Sequence, residues 1–153
     1  MRPSIMMTQR FLRFIPFVFQ WEGGYDNDPD DPGGETKFGI DKRSHPGVDI
    51  KSLTREQATE IYWREYWVKY GCEWHAEPLG EVFFNACVNC GEGRARKILQ
   101  ATPTPHTAAA FLAEQEAFYQ RLAAARPALK KFLKGWLNRT ADLGRRIGNE
   151  ESG

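Results

Sequence analysis

Trp21-Glu22-Gly23-Gly24-Tyr25, followed by Asp26-Asn27-Asp28-Pro29-Asp30-Asp31-Pro32-Gly33-Gly34-Glu35-Thr36, is the stretch on which the reading of this chain turns. Upstream of it, Thr8 can cap a helix in which Phe11, Phe14, Ile15 and Val18 recur at helical spacing, and Gly23-Gly24 ends that helix. Glu22 therefore stands at a helix C-terminus or just beyond it. A carboxyl beside an indole, at the negative end of a helix dipole, is expected to keep its proton near neutrality, which makes Glu22 a candidate general acid. Asp31 lies in a polar, glycine-rich turn and is expected to stay ionised, so two carboxyls of unlike environment can face one cleft.

Working outward, most of the chain reads as helix. Residues 25–34 form a turn-laden loop and Thr36 to Ile40 one arm of a small hairpin. Thr54-Arg55-Glu56-Gln57 has the form of a capping box, opening a second long helix with an apolar face of Ala58, Ile61, Tyr62, Tyr66 and Trp67. Leu79 to Cys90 is apolar nearly all round, as a central helix would be, and Gly91 stops it. A short helix over Arg94 to Gln100, a proline linker, a long helix over Thr107 to Ala125 and a final helix with Pro127 in its first turn complete the chain. The aromatics Tyr62, Trp63, Tyr66 and Trp67 are spaced as a packed face needs, which favours core over sugar platform.

The 153 residues, 41% hydrophobic and 13% aromatic, suit one domain over 1–153 and argue against disorder. The formal net charge of +1 hides an uneven distribution: residues 1–93 carry 10 Lys+Arg against 15 Asp+Glu, and residues 94–153 carry 11 against 5. The basic residues of the second half are dispersed and match no nucleic-acid motif, so no nucleic-acid partner is expected. No apolar stretch reaches the roughly 18 residues of a membrane helix, and no signal peptide is apparent. Three cysteines do not describe a disulfide framework.

The segments EGGY, DPDDPGGETKFGI, IYWREYW, VFFNACVNCG and FLKGWLNR, in that order across nearly the whole chain, resemble the bacterial and phage N-acetylmuramidases of glycoside hydrolase family 108, within the lysozyme-like superfamily. The resemblance implies a mainly helical lysozyme-like domain with a small β-hairpin next to the catalytic cleft. Glu22 matches the glutamate of the family's EGGY motif. Asp31 and Thr36 are similar in order and spacing to an aspartate and threonine of phage lysozymes, Asn89 matches the family's VNxG asparagine, and Tyr25, Gly34 and Gly39 match loop positions that shape the site. Trp136, Asn138 and Arg139 match a C-terminal signature read as structural. Two departures stand out: Asn85 replaces a frequent family Asp, and Thr102 to Thr107 is short and lacks the glycines of a loop found in the family's peptidoglycan-binding C-terminal region, to which residues from about 94 to 153 correspond.

Cleaving a β-1,4 glycosidic bond needs a proton on the leaving oxygen and a second carboxylate, or a water it activates, for the oxocarbenium-like transition state. Glu22 is the acid in this reading and Asp31 the second group, with Asp28 and Asp30 as substitutes. Thr36 can position the water, and Asn89 can hold an N-acetyl group or hydroxyl of the sugar. The implied enzyme is a peptidoglycan hydrolase of endolysin type acting on the glycan strand. It needs no cofactor and no metal, works as a monomer without inserting into the membrane, is made in the bacterial cytoplasm, and reaches the wall in the periplasm after release by a holin-type protein. Its alternatives are a lytic transglycosylase and a non-catalytic peptidoglycan-binding protein. Two rival sites compete on the residues: Cys72-x2-His75 with Cys87-x2-Cys90 resembles zinc ligand pairs, although Cys87 and Cys90 fall in an apolar helix, and Asp26, Asp28 and Asp30 begin a calcium-loop pattern that Asp31 and Lys37 break.

Overall fold

The structure, a computed structural model, describes residues 6–29 and 33–152, with side chains placed to residue 148. It is mainly helical, with one two-stranded antiparallel sheet among the described residues. Two compact units divide the chain, residues 1–69 and 70–153.

The first unit opens with α1 (Gln9–Trp21), capped by the Thr8 side chain, which accepts from Phe11 N–H at 3.3 Å. Of the stripe read from sequence, Phe11, Ile15 and Val18 are buried and Phe14 is half-buried, and the inward face also takes in Phe17 and Phe19. Strands β1 (Thr36–Lys37) and β2 (Ile40–Asp41) follow. The hairpin is tighter than the sequence suggests: Thr36 to Ile40 is not one arm, because Lys37 pairs with Ile40 and the chain reverses at Phe38-Gly39. Both turn residues have positive φ, 55° and 80°, the geometry of a two-residue type I′ turn, whose twist matches that of the strands it joins. An isolated bridge between Asp26 and Thr36 adds the start of the acidic loop to this sheet, with reciprocal backbone bonds of 2.8 Å.

Helix α2 (Arg55–Tyr62) begins with the expected capping box: Thr54 Oγ1 accepts from Gln57 N–H at 3.1 Å and Gln57 Oε1 from Thr54 N–H at 2.9 Å. The long helix expected from here changes character after Tyr62, where Trp63–Val68 is π-helical. That widened turn carries Trp63 and Trp67 to the same partner, Phe11, with ring centroids 5.1 and 5.5 Å away. Tyr62, Trp63 and Trp67 are buried, as a packed face requires, and Tyr66 is half-buried.

In the second unit, α3 (Leu79–Cys90) is buried continuously from Leu79 to Cys87. The helices α4 (Glu92–Ala101), α5 (Ala108–Ala125) and α6 (Lys130–Ser152) complete the unit, α3 packing on α4 and α5, and α5 on α6. Pro127 opens a separate 3-10 turn, Pro127–Leu129, and α6 starts only at Lys130. Asn85, fully buried, accepts from Arg139 Nε at 3.0 Å, so the residue standing where the family often has Asp is an acceptor for the arginine of the C-terminal signature. No described helix is long and apolar enough to cross a membrane.

Candidate active site

Glu22 is the C-cap of α1, in extended conformation (φ −96°, ψ 118°), with its N–H still donating to Val18 O at 2.8 Å. The helix thus ends by turning the chain out at Glu22 itself, and the carboxyl is half-buried. One residue further, Gly23 O accepts from Phe38 N–H at 3.0 Å, which ties the hairpin turn to the end of α1. On its other side Phe38 O accepts from the Tyr62 hydroxyl at 2.7 Å. The Phe38 ring meets Phe19 edge-on at 5.5 Å, and Phe19 meets Tyr62 at 6.0 Å, so an aromatic cluster from α1, the turn and α2 backs the site.

Gly39 is the point at which these elements meet. A Cβ there would collide with the Tyr62 hydroxyl and stand 2.9 Å from Glu22 Cγ and 3.0 Å from Glu22 Cδ. Two independent constraints therefore exclude a side chain at position 39: the positive φ and the lack of space. The end of α1 and the Phe38-Gly39 turn are therefore packed closely enough that only a glycine fits against the Glu22 side chain.

The other residues singled out from sequence differ in what holds them. Tyr25 is exposed, and its hydroxyl donates to Glu35 Oε2 at 2.6 Å. That bond to a carboxylate is the main reason the Tyr25 phenol titrates above its ordinary value, with a lesser contribution from desolvation. Thr36 spends both its backbone N–H and its backbone O on Asp26 and lies opposite Asp41 in the hairpin register. Gly34 has φ +74°, and a Cβ there would come no nearer than 3.9 Å to Lys42 Cβ, so backbone conformation alone selects glycine. Asp28 is exposed, whereas Asp30 and Asp31 lie outside the described residues.

Asn89 belongs to the second unit. Its Nδ2 donates to the Tyr119 hydroxyl at 2.5 Å, and Gln115 Nε2 donates to the same oxygen at 2.9 Å. Tyr119 is buried, and burial pushes its phenol well above the ordinary range. Cys87 is pushed up in the same way and packs as a buried hydrophobe, whereas Cys90 is half-buried and its thiol donates to Ala86 O at 3.2 Å. Among the described residues no three His, Cys, Asp or Glu side chains gather as a metal-binding set.

Two residues of this neighbourhood carry no specific sequence signal. The Tyr62 ring is core, as its spacing predicts; only its hydroxyl, through the non-local bond to Phe38 O, belongs to the site. Glu35 drew no attention beside four aspartates, although the Tyr25 hydroxyl is bonded to it. A helix-terminal tyrosine in an aromatic run and a Glu-Thr pair entering a strand were the available signals, and neither is specific.

The solved structure of SagA from Brucella abortus matches this chain with a TM-score of 0.73 and 26% sequence identity, covering 89% of this chain and 92% of that one. That breadth of agreement accords with the lysozyme-like fold implied by the order of the motifs. Curated proteins provide no match. The model of the family described as glycosyl hydrolase 108 matches residues 15–91, which runs from the inward face of α1 through Glu22, the hairpin and α2 to the end of α3 and is half of the chain, and the protein belongs to that family.

Proposed function

We propose that the protein is an N-acetylmuramidase that hydrolyses the β-1,4 bond between N-acetylmuramic acid and N-acetylglucosamine, with Glu22 as general acid. Family membership makes it a glycoside hydrolase acting on peptidoglycan. The observation that supports the finer reading is the placement of Glu22: a half-buried glutamate at a helix end, against the Phe38-Gly39 turn, where a side chain at position 39 would press on it.

In this reaction Glu22 protonates the leaving glycosidic oxygen as the bond to the anomeric carbon breaks, and the positive charge that builds on the sugar ring is met by a second carboxylate. Asp31 is proposed for that role, either as nucleophile or as base for a water on the opposite face of the ring, with Thr36 orienting that water. The distance between the two carboxyls decides the route: about 5 Å favours retention and about 6.5 to 9.5 Å inversion. Tyr25, exposed and anchored to Glu35, is proposed to offer a ring to the glycan, and Gly34 and Gly39 to shape the loop and turn beside it through the positive φ each adopts. Asn89 is proposed to bind the sugar through its amide oxygen, since its Nδ2 already donates to Tyr119. The role we propose is that of an endolysin, a monomer made in the cytoplasm that reaches the periplasmic wall once a holin-type membrane protein releases it.

Mass spectrometry of digested peptidoglycan tests this reading. Fragments ending in reducing muramic acid, absent with Glu22→Gln, are the expected result. Anhydro-muramic ends would replace it with a lytic transglycosylase, and intact glycan would leave a binding protein.

A further inference from the structure

We propose that Tyr62 is a positioning residue for Glu22, acting through the Phe38-Gly39 turn; this rests on Glu22 being the acid. The turn is held from two directions. Phe38 N–H donates to Gly23 O at 3.0 Å, immediately after Glu22, and Phe38 O accepts from the Tyr62 hydroxyl at 2.7 Å. The same hydroxyl and the Glu22 side chain both border the point where a Cβ of Gly39 would stand, 2.9 Å from Glu22 Cγ and 3.0 Å from Cδ. One phenol oxygen thus fixes the peptide that forms the wall of the carboxyl.

The turn needs such a clamp. Phe38 has φ 55°, a conformation that is uncommon for a residue with a bulky side chain, and local sequence does not favour it. Its ring is held against Phe19, but a ring contact does not fix the orientation of the following peptide, whereas a hydrogen bond to its carbonyl does. Tyr62 is itself rigidly placed. It closes α2, whose start is fixed by the Thr54-Gln57 capping box, and its ring is fully buried against Phe19 and Tyr66. Immediately after it the π turn anchors Trp63 and Trp67 on Phe11, and such turns recur at functional sites. Without the hydroxyl the Phe38 carbonyl loses its donor, the peptide is free to rotate, and Gly39 moves off the carboxyl. The proton donor is then no longer aimed at one place.

Tyr62→Phe keeps the ring and removes only the oxygen. With soluble glycan strands as substrate, kcat is expected to fall by about tenfold to a hundredfold and KM to stay within about twofold, at unchanged near-UV circular dichroism. Hydrogen exchange at the Phe38 amide is expected to speed up in the same variant. Unchanged kcat, a KM that rises as much as kcat falls, or wild-type protection at Phe38 would each overturn the positioning role. The last readout stands even if the variant is too unstable for kinetics. Glu22→Gln run alongside separates the two ideas: if it stays active, the acid assignment fails, and if it is dead while Tyr62→Phe is wild-type, only the positioning role fails.

Discussion

In the first unit the peptide facing Glu22 is held by two directional bonds, one from Phe38 N–H to Gly23 O and one from the Tyr62 hydroxyl to Phe38 O. In the second, α3 is held by burial along its length, with Val82, Phe83, Phe84 and Ala86 all inaccessible to solvent. Directional bonds fix where a group points but contribute only about 0.5 to 1.5 kcal/mol each, whereas burial contributes more and aims nothing. A change of one atom is therefore expected to harm function in the first region, and a change of volume to harm stability in the second.

Phe84→Ala is the larger perturbation. It should lower the free energy of unfolding by about 3 to 5 kcal/mol, read from urea denaturation, while the molecules that remain folded keep their specific activity. A loss under about 1 kcal/mol would mean that α3 is not the packed core it appears from its burial. Gly39→Ala inverts the pattern. Its strain should cost about 1 to 3 kcal/mol, yet activity should fall more than about a hundredfold, because the new methyl pushes on both Glu22 and Tyr62. Loss of stability with activity per folded molecule retained would remove the turn from the site.

The smallest effects distinguish two tyrosines that share a direction of shift and differ in cause. Tyr119 is raised chiefly by burial, so its neutral form is favoured in the folded state. The stability this provides is complete below the ordinary tyrosine value and is lost as pH climbs beyond it, so Tyr119 should ionise only as the protein unfolds. Tyr25 is raised chiefly by its bond to Glu35 and is exposed; it should ionise late but with the fold intact, and Glu35→Gln should bring it back toward its ordinary value. Ultraviolet titration of wild type, Glu35→Gln and Tyr25→Phe reads all of this. A Tyr119 that titrates in the folded protein near 10.0, its ordinary value, would contradict its buried placement.

The same division explains what was legible in the sequence. Caps at Thr8 and Thr54 and the apolar run of α3 are local patterns, and the structure contains each of them, while Thr107, read as helical, is the N-cap of α5. Glu22 at the end of α1 was readable because Gly23-Gly24 announces the break. The turn at Phe38-Gly39 was not, since a type I′ turn is signalled by Asn-Gly or Asp-Gly, and Phe38 is kept at positive φ by Phe19, Gly23 and Tyr62. The π turn after Tyr62 was hidden for a similar reason: the aromatic spacing in Trp63–Val68 fits an α-helix equally well, and contact with Phe11 decides between them. Residues whose part in the site is a tertiary bond, Tyr62 and Glu35 among them, leave no periodic trace.

The proposal that the carboxyl at position 22 gives up a proton as the glycan breaks is tested by kcat of Glu22→Gln on purified peptidoglycan, with thermal unfolding followed in the same sample. A neutral isostere should leave the unfolding midpoint where it was and lower kcat by about 10² to 10⁴ fold. More than about a tenth of the wild-type rate in a fully folded variant would contradict it.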